Sequence, residues 1–308
     1  MHRLLAKIED SEKDGVYVSG CRGSSPPDTH KVCVNLAGGY RNGMELILTG
    51  IDIEEKAKSF IDTLFKSLGG KDQFDEVSVQ LHRTDKEDPA SNEEAMASLR
   101  ISVKSKDPDL VGRMFTAKMV ELALANYPGL YMGGAVRSGG PVLVYWPALI
   151  DSKHIKETVH IDGKEINVMP TNQLDLEETY YQKQPVEIPP PPSGETLNKA
   201  LGELFGARSG DKGGCANIGV WAKSENAFSF LNNYLTIEKL KELMPDISEF
   251  EIDRYELPNI LSLNFYIHDI LEDGVSSNNR KDGQAKSLGE YLRAKYADIP
   301  KSLFEENI

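Results

Sequence analysis

Four consecutive prolines, Pro189 to Pro192, divide this chain of 308 residues. Proline fixes its own φ and carries no N–H, so such a run cannot occupy a helix interior or a central strand and prefers an extended polyproline conformation. The surrounding residues 185–195 therefore read as a stiff linker. They set off residues 1–184 as a larger N-terminal domain and residues 196–308 as a compact C-terminal module. A chain of this length can bury a substantial core and is most simply read as two domains.

In the N-terminal region, Gly15 to Ser19, Lys31 to Leu36 and Met44 to Leu48 have the character of strands, the first two around a turn rich in glycine and proline. Ile53 to Leu68 carries apolar residues near helical spacing and meets Gly69-Gly70 as a stop. Phe74 to His82 alternates as a strand does, and Asp109 to Ala125 reads as a helix ended by Asn126-Tyr127-Pro128-Gly129. Ala135-Val136 and Val142 to Trp146 are further strand segments, and His160 to Ile166 reads as a hairpin through Asp162-Gly163. Strands alternating with helices give a mixed α/β layer domain.

In the C-terminal module, strands are expected at Thr196 to Gly206 and Ile218 to Ala222, flanking a glycine-rich loop. Leu235 to Leu243 belongs to a helix capped by Thr236. Phe250 to Leu257 and Leu261 to Ile267 are expected to pair across Pro258-Asn259, and Ser287 to Tyr296 closes the module as an amphipathic helix. The result is a sheet with helices on one face, so the fold class is α/β followed by α+β.

The segment from Gly206 to Val220 concentrates Arg, Ser, Asp, Lys and Asn among several glycines. Glycines let backbone N–H groups converge on an anion, and an Arg and a Lys nearby neutralise a carboxylate or phosphate. It is no Walker A loop, because Lys212 is followed by Gly213 rather than by Ser or Thr. Arg208 and Lys212 are expected to hold an anionic substrate or a developing oxyanion, with Ser209 and Gly213 contributing donors. Asp211 reads either as a base or as the residue that ties the turn together. Asn217 reads either as an oxyanion donor or as a satisfied structural amide. Asn264, set among apolar neighbours, needs partners if buried and is a ligand candidate. A second cluster, Gly20 to Pro27 followed by His30, Lys31 and Gly38-Gly39-Tyr40-Arg41, presents His30 as the proton-transfer candidate and Arg41 as a further anion contact. Arg208, Asp211, Lys212, Asn217 and Asn264 are expected to border one concave pocket, reached by His30 or Arg41.

The net charge of −13 argues against non-specific binding to nucleic acid or anionic membranes. No apolar run has the length of a membrane span, and the first ten residues lack the apolar core of a signal peptide. Cys21, Cys33 and Cys215 form no CxxC pair, which fits a reducing compartment, with the cytoplasm as the default. None of the histidines has metal-motif spacing with another His or Cys, so no metal is expected.

Ala207-Arg208-Ser209-Gly210-Asp211-Lys212-Gly213 followed by Ala216-Asn217-Ile218-Gly219-Val220 resembles the signature of the acyclic terpene utilisation protein A family. Tyr255-Glu256-Leu257-Pro258-Asn259 and Leu263-Asn264-Phe265 extend the resemblance. So do Asp88 to Ala95 and the run from Glu121 to Gly129 in the N-terminal region. The resemblance covers essentially the whole chain. It implies a ferredoxin-like C-terminal module and a larger N-terminal part ahead of the region resembled here, so the chain reads as a fragment, as a split-gene product whose protein partner supplies the missing part, or as a reduced member with altered activity.

It also implies the breakdown of branched, terpenoid acyl-CoA, with cleavage of a 3-hydroxy-3-alkylglutaryl-CoA-type intermediate by a carbon–carbon lyase. CoA is then expected as part of the substrate and no separate cofactor. Hydration or hydrolysis of the same substrate class is an alternative, as is a non-catalytic binding or assembly subunit. A homo-oligomer is expected.

Overall fold

The computed structural model describes residues 5–12, 15–22, 27–125, 127–168 and 186–305. The chain sorts into two compact units, one of residues 1–34 and 146–187 and the other of residues 35–145 and 188–308. In the smaller unit, β1 (Leu5–Glu12) and β2 (Gly15–Arg22) pair as an antiparallel hairpin. β3 (Thr29–Thr49) begins in this unit and continues into the larger one as a single strand of 21 residues. It thus joins the two strands expected at Lys31 to Leu36 and Met44 to Leu48. Gly38 lies against Val142 and Val144, and pairing with the next partner strand begins at Tyr40, so the glycine pair falls between two sets of neighbours instead of ending the strand.

The N-terminal part of the larger unit continues with α1 (Ile53–Ser67), β4 (Glu76–His82), β5 (Met96–Ser105), α2 (Phe115–Ala123), β6 (Leu130–Met132) and the first half of β7 (Gly140–Asp151), which from Trp146 belongs to the smaller unit. The sheet order is β4-β5-β3-β6, with β7 also paired to β3. α1 follows its expected bounds because Ile53, Ala57, Phe60 and Leu64 recur on one face, and all four are buried. Gly69 and Gly70, with φ of 88° and 117°, carry the chain out of the helix. Those apolar residues meet Met44, Leu46 and Leu48 of β3 and Leu99, Ile101 and Val103 of β5. Each fully buried Leu, Ile or Phe there contributes about 1.5–3 kcal/mol.

β5 is paired on both sides and was not among the expected strands. The helix expected over Asp109 to Ala125 is shorter, because Leu110–Met114 is a π-helical turn broken at Gly112. The sheet face opposite the helices is polar. It carries Glu76, Ser78 and Gln80 from β4, Arg100, Ser102 and Lys104 from β5, and Arg41 and Glu45 from β3.

β8 (Thr158–Ile161) and β9 (Lys164–Asn167) form the expected hairpin in the smaller unit, with Asp162 and Gly163 both at positive φ. Residues 169–185, including the start of the expected linker, lie outside the described residues. Beyond them, Ile188 packs on the C-terminal core and Ser229 donates its hydroxyl to the Pro189 carbonyl.

The C-terminal module holds β10 (Thr196–Ala200), β11 (Gly206–Lys212), β12 (Cys215–Trp221), α3 (Glu225–Tyr234), α4 (Ile237–Leu243), β13 (Ile252–Leu257), β14 (Ser262–Ile267), α5 (Leu288–Arg293) and β15 (Tyr296–Pro300). Ser224 caps α3 by accepting from the Ala227 N–H at 3.2 Å, and Thr236 caps α4 by accepting from the Lys239 N–H at 3.1 Å. The main sheet is antiparallel in the order β11-β12-β14-β13. Ile218, Val220, Leu263 and Phe265 pack with Phe228 and Leu231 of α3 and with Leu288 and Leu292 of α5. The expected closing helix ends early, since Tyr296–Pro300 pairs with β10 as a separate two-stranded ladder. A mixed α/β layer and a distinct β/α module are thus both present.

Candidate functional site

The glycine-rich segment is a hairpin of two strands, not a loop between strands. Lys212 pairs with Cys215 across the two-residue turn Gly213-Gly214, and Gly213 has φ +70°. A dense set of glycines ordinarily signals a turn, but here glycine also permits close approach within a strand. A Cβ on Gly206 would stand 2.3 Å from the Trp221 ring, so its absence gives the indole a bed across the strand pair.

Residues paired on neighbouring strands point to the same side of a sheet. The register then places Arg208, Gly219, Asn264 and Tyr255 in one row of the module's sheet. Gly210, Asn217, Tyr266 and Asp253 form the next row, and Gly206, Trp221, Ser262 and Leu257 flank them on the other side. This face lies away from the helices. The opposite face carries Ile218, Val220, Leu263 and Phe265 into the core.

Arg208 is exposed, and among the described residues no carboxylate pairs with it. Asn217 donates its amide N–H to Asn264 Oδ1 at 2.9 Å, so the two amides form one polar unit beside it. Trp221, Tyr255 and Leu257 are each at least a third exposed and give this face its apolar surface.

The other end of the same face carries titratable groups. His268 Nε2 lies 2.9 Å from Asp253 Oδ2, and the Tyr255 hydroxyl donates to the same oxygen at 3.3 Å. The hydrogen bond to Asp253 raises the His268 pKa above the ordinary imidazole value, and the reciprocal bond lowers that of Asp253. The nearby Asp253 charge raises Tyr255. Tyr266, edge-on to His268 at 4.9 Å, is pushed up to about 12, chiefly by its hydrogen bond with the Cys215 thiol. Together these are a cation with no carboxylate partner among the described residues, an amide pair and a hydrogen-bonded imidazole along one face.

Of the residues expected to share one pocket, Arg208, Asn217 and Asn264 share this face. Asp211 and Ser209 belong to the opposite face by alternation, and Ser209 Oγ accepts from the Gly289 N–H of α5 at 2.9 Å. Ser209 therefore fastens the helix to the sheet. Lys212 sits exposed at the hairpin end, with Nζ donating to the Asp211 carbonyl at 3.0 Å, and Gly213 forms the turn beside Tyr145. His30 is exposed on the part of β3 that belongs to the smaller unit. Arg41 does meet the C-terminal module, but it does so by donating to the Asn278 carbonyl at 2.7 Å.

Sequence reasoning missed Trp221, Asp253, Tyr255, Tyr266 and His268. Their signal was the spacing of two along β12, β13 and β14, in register with Asn217 and Asn264. A shallow cavity of about 200 Å³ lies elsewhere, lined by Gly43, Glu45, Gly133, Gly134 and Arg137 of the α/β layer. Among the described residues no group of three or more His, Cys, Asp or Glu is placed to hold a metal ion, and no helix is long and apolar enough to cross a membrane.

Residues 5–161 match the family model described as acyclic terpene utilisation family protein AtuA, and residues 199–297 match the AtuA ferredoxin-like domain. No curated protein and no solved structure matches the chain. The first match alone spans half of the sequence, the second coincides with the module built around β11 to β15, and the chain belongs to the acyclic terpene utilisation AtuA family.

Proposed function

We propose that the chain is an enzyme acting on branched, terpenoid acyl-CoA, with its substrate carboxylate held on the open face of the ferredoxin-like sheet. The observation that carries this reading is Arg208, an exposed guanidinium with no carboxylate partner among the described residues, set beside the Asn217–Asn264 amide pair. A guanidinium presents a planar fork of donors that matches a carboxylate. Trp221, Tyr255 and Leu257 offer apolar surface of the kind a branched alkyl chain covers.

The reaction is carbon–carbon cleavage of a 3-hydroxy-3-alkylglutaryl-CoA-type substrate. A base takes the proton of the tertiary hydroxyl, the oxygen lone pair forms the carbonyl, and the adjacent carbon–carbon bond breaks. Its electron pair passes to the departing carboxymethyl or thioester fragment as an enolate, which is then protonated. On this face the base is His268, held by Asp253; Asp211 points to the helices and His30 belongs to the other unit. The Arg208 and His268 backbones stand two strands and about four residues apart, roughly 16 Å at the usual strand spacings, and the long Arg208 side chain must reach along the face towards His268, because only two bonds separate the carboxylate carbon from the carbinol carbon. The test is product analysis after incubation with a 3-hydroxy-3-alkylglutaryl-CoA, where a ketone and a free acid or thioester fragment are expected. An intact carbon chain with water added or removed, or with CoA released, would replace cleavage by hydration or hydrolysis.

A second reading is favoured by the smaller unit, where Val159, Ile161 and Ile166 lie on one side of the β8–β9 hairpin and are about half exposed. Such a surface fits an assembly subunit whose partner chain covers it. Light scattering of the purified chain alone and with candidate partners distinguishes an assembly from a monomer.

A further inference from the structure

The polar face of the α/β layer receives a loop of the C-terminal module, and its charges do not balance. Arg41 donates from Nη1 to the carbonyls of Asn278 at 2.7 Å and Ser277 at 3.5 Å, while Arg100 donates from Nη1 to the Asn279 carbonyl at 3.3 Å. Two guanidiniums that hold carbonyls of neighbouring residues stand close together. Ser102 donates to Asn279 Oδ1 at 3.0 Å and Gln80 donates to the Asn279 carbonyl at 3.1 Å, so the loop is fixed under them.

The carboxylate of Glu76 takes both the Lys104 ammonium and the Asn279 amide. Glu45 lies 3.8 Å from Lys281, and Asp246 lies 3.3 Å from Arg280. With Glu45 opposite Arg100 in the strand register counted in, the five cations Arg41, Arg100, Lys104, Arg280 and Lys281 face the three carboxylates Glu76, Glu45 and Asp246 among the described residues, which leaves two positive charges in excess within a chain of net charge −13. Burial, followed by the Arg100 charge, pulls the Arg41 pKa below the ordinary guanidinium value. Among the described residues, the Nη2 and Nε donors of both side chains have no protein acceptor. Partly buried guanidiniums with open forks are the chemistry of an oxyanion site, and two uncompensated charges match a phosphate dianion.

We propose that Arg41 and Arg100 form a phosphate-binding clamp on the polar face of the α/β sheet, separate from the Arg208 face. It takes the phosphate dianion, free or as a monoester. The Asn278-Asn279 backbone sets the spacing of the two forks. The clamp does not depend on the proposed lyase chemistry.

The test is calorimetric titration of the full chain with inorganic phosphate at constant ionic strength. Saturable binding by the parent protein is expected, with affinity lowered at least about tenfold in Arg100→Gln, a loss of about 1.4 kcal/mol. Circular dichroism of each variant checks the fold. Arg100→Lys keeps the charge, removes the fork, and should also weaken binding. A parallel titration with phenyl phosphate separates an ester, which should then bind at least as tightly, from the free ion. Arg208→Ala should bind phosphate as the parent does. No saturable binding by the parent, unchanged affinity in a folded Arg100→Gln, or acetate binding as tightly as phosphate would each overturn the proposal.

Discussion

Asn217 and Asn264 stand on adjacent strands of the ferredoxin-like sheet, and the amide of the first donates to the side-chain oxygen of the second at 2.9 Å. Neither residue is fully buried, so each amide keeps donors or acceptors directed away from the pair. The pair sits within one row of Arg208, which makes this the point where fold and proposed recognition meet.

Asn264→Ala removes the acceptor of that bond and leaves the Asn217 amide to solvent. A modest loss of stability, about 0.5–1.5 kcal/mol, is expected in urea denaturation. Ligand binding should fall more than stability does. A variant as stable as the parent with unaltered ligand affinity contradicts the role given to the pair.

Gly206→Leu places a side chain where the Trp221 ring lies. The indole must leave its position across β11 and β12, at a cost of about 1–3 kcal/mol of stability. Trp146 and Trp221 are the tryptophans of the chain, so the change is best read in a Trp146→Phe background. A red shift of the remaining fluorescence and a lower Tm are expected; an unchanged spectrum refutes the packing described.

His268 carries a raised pKa because Asp253 accepts its hydrogen bond. The folded chain therefore favours imidazolium. Its stabilising contribution is present in full below the unfolded pKa and is lost as pH rises through the higher folded value. Catalysis by His268 as a base follows the opposite direction, since the neutral form appears as pH rises. Asp253→Asn removes the acceptor charge, so the His268 midpoint in an NMR titration, and the acid limb of kcat/KM, should both move to lower pH. A midpoint that does not move excludes Asp253 as the cause of the shift.

Elements with an uninterrupted local signal were legible in the sequence. α1 has its four buried residues at helical spacing and a double glycine at its end, while the β8–β9 turn has Asp162-Gly163. The glycine-rich hairpin was not legible as a strand, because Gly206 is required by the Trp221 ring, a contact from the partner strand rather than from local sequence. β5 was missed despite the alternation of Ala97, Leu99, Ile101 and Val103, and its role as the strand between β3 and β4 is a property of long-range pairing.

The site was legible in the same measure. Arg208, Asn217 and Asn264 were identified from residue type, but which of their neighbours shared their face depended on strand parity. Reading residues 207–217 as a loop between strands erased that parity, and with it the separation of Asp211 from Arg208. Arg100 and Asn279 meet across 179 residues, a distance no local pattern spans.

The central claim is that Arg208 anchors an anionic substrate on the open sheet face. Isothermal titration of parent and Arg208→Ala proteins with a branched 3-hydroxyglutaryl-CoA analogue tests it most directly. Because Arg208 is exposed and unpaired among the described residues, the variant should keep the parent's fold and urea midpoint. Its affinity should fall by at least about tenfold, the equivalent of one charge-assisted hydrogen bond. Equal affinity of the two proteins for that ligand would contradict the account.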